Sequence, residues 1–296
     1  MRIFLTGATG FVGSAIVPEL ISAGHQVVGL ARSDENAKSL AAAGAQVHRG
    51  SIEDLDSLRS GAAAADGVIH TAFNHDFSKW AENCENDRLA IEALGSALAG
   101  SNRPLVITSG TGLVTQPDGR LAAEDDAPTS TVPRIKSEQA ATALAARGVH
   151  VSVVRLPPSV HGDGDHGFVP TLIRIAREKR AAAYVGDGGN RWPAVHRLDA
   201  AHLYRLVIER GTAGARYHGV GDEGVPFRDI ATVIGQRLNV PVVSKTPEEA
   251  AEHFGWFAHF AALDTPASSE KTQRELGWRP THAGLIADLQ RGAYFD

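Results

Sequence analysis

Residues Arg2 to Gly13 read RIFLTGATGFVG: a short apolar run breaks into a turn carrying Gly7, Gly10 and Gly13, then continues as a helical pattern. That order leaves few folds open. A buried strand that ends in closely spaced glycines and feeds a helix opens a β-α-β unit. The first glycine permits the tight turn, the second admits a phosphate to the backbone, and the third lets helix pack on strand. The helix N-terminus behind the turn attracts anions. A dinucleotide pyrophosphate is the expected occupant.

The alternation continues. RIFLT (from Arg2), QVVGLAR (from Gln26), GVIHTA (from Gly67), PLVITS (from Pro104) and HVSVVRL (from His150) read as buried parallel strands, with AQVHRG (from Ala45) a weaker sixth. Between them Phe11–Ala23, Ser33–Ala43, Asp54–Ala63, about Asn86–Gly100 and Pro133–Arg147 carry helical spacing, several closed by glycine. The expected fold is α/β: a Rossmann-type doubly wound parallel sheet with a smaller C-terminal substrate lobe. Residues 1–157, with about 192–212, form the dinucleotide-binding domain. The lobe takes about 158–191 and 213–296, closing over the carboxyl edge of the sheet.

Charge and composition exclude several functions. With a net charge of -5 and no basic cluster beyond REKR at Arg177 to Arg180, no nucleic-acid partner is expected. No run of ~18 apolar residues is available to span a membrane, and no signal peptide precedes the first strand. The single cysteine, Cys84 in ENCEND, rules out a disulfide framework and fits a cytoplasmic chain. Flanking carboxylates would raise its thiol pKa, so an ordinary helix residue is expected there.

The second strand ends GLARSD. An NAD site places an acid at this tip for the ribose 2′-hydroxyl, whereas Arg32 and Ser33 offer a cation and a donor suited to a 2′-phosphate. NADP(H) is therefore expected over NAD(H). The alternative is a surface Arg32, with Asp34 turned inward to the hydroxyl.

TGATGFVG, GVIHTAF, LVITSG, VVRLPPSVHG, AVHRLDAA and LGWRP follow one another so that the chain resembles an extended short-chain dehydrogenase/reductase of the epimerase/dehydratase type, from Arg2 to about Pro280. The resemblance implies phosphate contact from Gly7 through Thr9, Gly10, Phe11 and Val12 to Gly13. It implies adenine contact near Ser51 and Ile52, ribose contact at Thr71, Ala72 and Phe73, and nicotinamide contact around Pro157 to Val160, including Ser159. The family usually has Asp where this chain has Ser51. Members are often dimers, so a homodimer is the assembly the resemblance allows; no stretch of the sequence marks an interface.

The catalytic set departs from the family pattern, a Ser or Thr after the fifth strand and then Tyr-x-x-x-Lys. Gly110 falls in the Ser slot, between Ser109 and Thr111. Setting KSEQAA on the family's Ser-Lys helix puts Arg134 and Glu138 in the Tyr and Lys slots; a shift of two gives Val132 and Lys136. The first tyrosine is Tyr184, and none of Tyr184, Tyr204, Tyr217 and Tyr294 has a lysine four residues on. The chain resembles the atypical branch, which keeps the cofactor site and varies the catalytic groups.

A hydride donor still needs a proton source or an oxyanion stabiliser. His75 in TAFNHD, at the carboxyl edge of the fourth strand, is one candidate acid, against a loop histidine beside a capping Asp76. Lys136 is another, and Arg134 a clamp for an anionic substrate, against a solvated helix face or a contact to the cofactor ribose. HGDGDHG gathers His161, Asp163, Asp165 and His166, dense enough to consider a metal, but a loop roofing the site is expected and no metal. His196 and Asp199 match a motif near the lobe, against a histidine fixing the strand and an aspartate capping the next helix. Trp192, Trp256, Phe257 and Phe260 are pocket wall or lobe core. The expected activity is NADP(H)-dependent reduction of a small carbonyl, imine or activated alkene. The alternatives are a non-catalytic NADP(H) sensor and a sugar-nucleotide epimerase/dehydratase.

Overall fold

A computed structural model describes residues 1–116, 118–128, 131–291 and 293–295. Strands β1 (Arg2–Thr6), β2 (Gln26–Ala31), β3 (Gln46–Arg49), β4 (Gly67–His70), β5 (Leu105–Gly110) and β6 (Val151–Leu156) alternate with helices α1 (Gly13–Ser22), α2 (Asp34–Ala42), α3 (Leu55–Ala63), α4 (Trp80–Leu98) and α5 (Lys136–Ala146). The chain continues through β7 (Ser159–His161), α6 (Phe168–Lys179), β8 (Ala182–Val185), β9 (Arg191–His196) and α7 (Arg197–Arg210). After these come β10 (Arg216–His218), β11 (Asp222–Pro226), α8 (Phe227–Leu238), β12 (Val242–Lys245) and α9 (Pro247–Phe254).

Seven strands form one parallel sheet in the order β10-β6-β5-β4-β1-β2-β3. The order reverses between β1 and β4, and such a switch point opens a crevice at the carboxyl ends of the strands. The central strands are apolar on both sides because helices cover both faces: Ile3, Phe4 and Leu5 are all fully buried. On one side Ile16, Val17 and Leu20 of α1 meet Leu203, Val207 and Ile208 of α7. On the other, Leu58 of α3, Leu94 of α4 and Leu144 of α5 pack over Phe4, Val68 and Ile107. Trp278, from LGWRP, is fully buried under α7 and donates its indole N–H to Asp199 O at 3.0 Å.

Two elements differ from expectation. Helix α4 starts at Trp80 rather than near Asn86, because its polar first turns bury Asn83, Cys84 and Asp87. The lobe boundary at 212 falls one strand early. Arg216–His218 pairs parallel with β6 in the large sheet, whereas β9 joins β7 and β11 in a separate three-stranded sheet. The lobe has its own core, in which Trp192, Phe227, Phe254, Phe257 and Leu285 pack around α6 and α8. Among the described residues no helix is long and apolar enough to cross a membrane.

Candidate active site

The glycine turn has the geometry that a pyrophosphate needs. Gly7 has φ +70, and a Cβ on it would lie 2.6 Å from Ala72 N. One on Gly13 would lie 2.0 Å from Gly7 O, so both positions exclude a side chain. Gly10 donates its N–H to Gly7 O at 2.9 Å and is exposed; a Cβ there would meet only Gly7 O, at 3.1 Å, and would otherwise fill the open cradle. No side chain caps α1 at Val12; Ser14 and Ala15 give their N–H groups to Gly10 O and Val12 O, which leaves those of Phe11, Val12 and Gly13 without an acceptor among the described residues and open to an anion. Thr9 is part-buried in the turn. Phe11 stands between the Arg197 guanidinium, 4.6 Å from its ring centre, and His166, edge-on at 5.7 Å. Arg197 also donates to Ser14 Oγ at 2.9 Å and Asp163 O at 2.6 Å, which holds the 162–167 loop over the turn.

At the tip of β2 the two expected residues separate. Arg32 is exposed and enters no ion pair among the described residues. The Ser33 hydroxyl accepts Asn36 N–H at 3.2 Å and so caps α2, keeping its own hydrogen to donate. Asp34 is ion-paired with Arg49 of β3. Ser51 Oγ accepts Glu53 N–H at 3.3 Å, and Ile52 is part-buried against the Phe4 side of the core. Thr71 donates to Thr6 O at 2.8 Å and Ala72 N–H reaches Thr6 Oγ1 at 3.4 Å, which fixes the start of the β4–α4 loop. The residues present fit a dinucleotide along the edge from Arg32 to Ser159.

Beyond the cofactor crevice lies a charge network that the sequence reading did not find. Asp87, 1% exposed on α4, receives His70 Nε2 at 3.1 Å, Ser137 Oγ at 2.5 Å and Arg134 Nη1 at 2.6 Å. Burial alone would raise its pKa; the Arg134 charge, followed by the bond from His70, outweighs that and brings it down to about 2. Thr6 Oγ1 meets His70 Nδ1 at 2.6 Å, extending the chain to β1. Arg134 also bonds Ser137, donates through Nη2 to Thr108 O at 3.0 Å, and lays its guanidinium over Phe73 at 4.2 Å.

The other catalytic candidates fall apart in space. Lys136 Nζ is tied to Glu85 at 2.6 Å on the outer side of α4, so it faces a carboxylate rather than the crevice. Glu138 is buried and grips Arg155 of β6 through two 2.8 Å bonds. Burial would raise its pKa, and the Arg155 bonds and charge hold it below the usual value. Val132 is an exposed apolar residue. Ser109, Thr111 and Ser159 are buried; the hydroxyls of Thr111 and Ser159 have no hydrogen-bond partner among the described residues, while the Ser109 hydroxyl lies toward Glu138 and helps to lower its pKa. Thr111 follows the end of β5 and Ser159 opens β7, next to the buried Pro157, and buried hydroxyls of this kind favour a polar partner. His75 keeps solvent contact at the mouth of this crevice, its ring edge-on to Phe73 at 5.1 Å. The protein around the crevice still desolvates it, and this, with the charges of Arg134 and His166, lowers its pKa.

Among the described residues no three His, Cys, Asp or Glu side chains converge as metal ligands. The HGDGDHG residues diverge: His161 bonds Asp288 at 2.8 Å, Asp165 accepts from Tyr294 at 3.1 Å, and His166 faces Phe11. Cys84 is buried and burial pushes its thiol up to about 11. His196 caps α7 through Leu198 N–H, and Asp199 receives the N–H groups of Thr281 and His282, both at 3.0 Å, rather than capping the helix. Of the four lobe aromatics, Trp192 and Phe257 are core, while Trp256 is 54% exposed. Phe77 reaches from the β4–α4 loop to stack on Trp80 at 5.2 Å and to meet Trp256 at 5.3 Å and Phe260 at 5.9 Å between ring centres, forming an aromatic arch between that loop and the lobe. Phe77 and Trp80 give no periodic signal in the sequence.

Comparison with known proteins gives the family and the fold. The family model for the NAD dependent epimerase/dehydratase family matches residues 3–220. An uncharacterised protein of Schizosaccharomyces pombe is 52% identical over 296 residues, covering 100% of both chains. A 4-hydroxy-2-methyl-3-oxo-4-farnesyl-3,4-dihydroquinoline-1-oxide ketoreductase of Stigmatella aurantiaca is 28% identical, covering 99% of this chain and 97% of its own. The crystal structure of a dTDP-glucose 4,6-dehydratase from Streptomyces venezuelae with NAD bound superposes with TM-score 0.80 at 20% identity, covering 99% of this chain and 96% of that one. With its glycine turn, parallel sheet and matched residues, the chain belongs to the NAD dependent epimerase/dehydratase family, within the extended short-chain dehydrogenase/reductases.

Proposed function

We propose that this protein is an NADP(H)-dependent oxidoreductase that reduces a small, apolar carbonyl, imine or activated alkene without a tyrosine acid. The observation that carries the cofactor preference is the tip of β2, where Asp34 is spent on Arg49 and Arg32 is left unpaired. The glycine turn would hold the pyrophosphate, Arg32 and Ser33 the 2′-phosphate, and Thr71 to Phe73 the ribose. Bound NADPH would supply the hydride. The chain's part is to shield the reacting centre under the Phe77 arch, to bind the substrate oxygen near Ser109 and Thr111, and to bring a proton from the His75 side. The apolar substrate is supported by the arch and by the named activity of the Stigmatella ketoreductase, whose substrate carries a farnesyl chain.

A second reading, an NADP(H) sensor without turnover, is favoured by one feature. Glu138, in the lysine slot, is locked to Arg155 and offers the nicotinamide ribose no ammonium. NADPH absorbance followed against aldehydes, ketones, imines and enones separates the two. Consumption with any class supports the reductase; none, with NADPH still quenching tryptophan fluorescence, supports the sensor.

A further inference from the structure

We propose that Arg134, held in place by Asp87, is the catalytic residue that receives the reacting oxygen of the substrate. This rests on the reductase reading above. Arg134 occupies the tyrosine slot when KSEQAA is set on the family's helix, and its side chain is only 14% exposed. Of its five N–H hydrogens, the two on Nη1 go to Asp87 and Ser137, and one on Nη2 goes to Thr108 O. The Nε–H and the second Nη2 hydrogen meet no acceptor among the described residues. Phe73 covers one face of the guanidinium at 4.2 Å, and His75 stands edge-on to that same ring. The free donors therefore belong to a rigid, partly dry cation beside the candidate proton source.

The chemistry of the slot changes accordingly. A tyrosine needs a neighbouring lysine because its hydroxyl must give up a proton, and the lysine lowers its pKa. A guanidinium keeps its protons, so it stabilises negative charge but transfers nothing. A lysine four residues on then has no task, and this chain has Glu138 there, engaged with Arg155 instead. As the carbonyl carbon accepts the hydride, the C=O π pair moves onto oxygen, where Arg134 N–H groups hold the alkoxide. A proton from the His75 side or from water completes the alcohol, and NADP⁺ remains. Asp87 is a positioning residue: its carboxylate fixes the fork, and its own capacity is filled by Arg134, His70 and Ser137.

The test uses Arg134→Ala, Arg134→Lys and Asp87→Asn in the full chain, with a carbonyl the wild type reduces. Loss of one oxyanion donor costs about 100- to 1000-fold in kcat. Arg134→Ala should lose that much, keep its NADPH Kd by fluorescence, and recover part of its rate with added guanidinium ion. Arg134→Lys retains a cation beside Asp87 and guards against misfolding, yet should remain at least about tenfold slow because it lacks the fork. Asp87→Asn should lower kcat with little change in KM for NADPH. Independently of turnover, benzoate, an oxyanion on an aromatic ring, should quench wild-type tryptophan fluorescence and bind at least tenfold more weakly to Arg134→Lys. Full turnover in Arg134→Lys, or equal benzoate affinity, overturns the proposal and leaves the reductase reading standing. A wild type that reduces an imine or activated alkene but no carbonyl overturns the proposal alone, and one that binds NADPH and reduces none of the three overturns both.

Discussion

Asp34, the first residue of α2, is ion-paired with Arg49 at the tip of β3, where Arg49 stands in register with Ala31 of β2, so the carboxylate that follows β2 is already engaged. Arg32, which enters no ion pair among the described residues, is the residue proposed to meet the ribose phosphate. Charge-assisted hydrogen bonds contribute about 1.5–3 kcal/mol. Arg32→Ala should therefore weaken NADPH roughly tenfold to hundredfold and leave NADH unchanged, as fluorescence titration would read. Arg49→Ala frees Asp34 and should move the preference toward NADH. Unchanged NADPH affinity in Arg32→Ala would sink the assignment.

His75 supplies a pH signature. Its pKa is held below the free-histidine value of about 6.5 by desolvation first, then by the charges of Arg134 and His166, so it is neutral at pH 7. If its protonated ring delivers the proton, kcat/KM for reduction rises as pH falls through that lowered pKa and levels off below it. The rise should vanish in His75→Gln. A profile unchanged by the substitution assigns the proton to water.

The sheet was legible because parallel strands buried on both faces must be written as uninterrupted apolar runs, and glycines close the helices between them. The glycine turn was legible for the same local reason. The Asp87–Arg134 pair was not, since its members are 47 residues apart and meet only when α4 packs beside the start of α5. Nothing in WAENCEND announces a helix that buries a carboxylate, for the run is polar and its partner lies elsewhere. Arg216–His218 was missed because three residues, two of them basic, carry no apolar run; Tyr217 and His218 are buried only once paired against β6. Lys136 misled in the opposite way: a lysine on the right helix is drawn to Glu85 instead of the crevice.

The Phe77 arch should govern substrate size. Phe77 lies against Trp256 and Phe260 of the lobe, so the β4–α4 loop and the lobe meet through aromatic rings, with Trp256 left exposed. Phe77→Ala removes the contact that joins the β4–α4 loop to the lobe. KM for long or branched apolar substrates should change at least fivefold, and the tryptophan emission should shift red. NADPH affinity, which the proposal assigns to the glycine turn, should stay within about twofold. Equal KM values across a chain-length series would remove the arch from substrate recognition.

The Glu138–Arg155 pair makes a prediction about stability rather than turnover. Arg155 is fully buried, and besides Glu138 it reaches Glu124 O at 3.1 Å and His218 Nε2 at 3.3 Å. Removing one partner of a buried pair leaves an uncompensated charge, at a cost of about 3–5 kcal/mol. Glu138→Ala should lose that much in urea unfolding at neutral pH. Replacing both residues together with apolar ones of similar volume should recover most of it. Because the folded pKa of Glu138 lies below its unfolded value, the pair's stabilisation is complete above the unfolded pKa and is lost as pH falls through the folded one. The gap between wild type and Glu138→Ala should therefore narrow in acid, as paired unfolding curves at pH about 7 and about 3 would measure. A gap that stays constant with pH would mean that Glu138 holds Arg155 by shape and hydrogen bonding rather than by its charge.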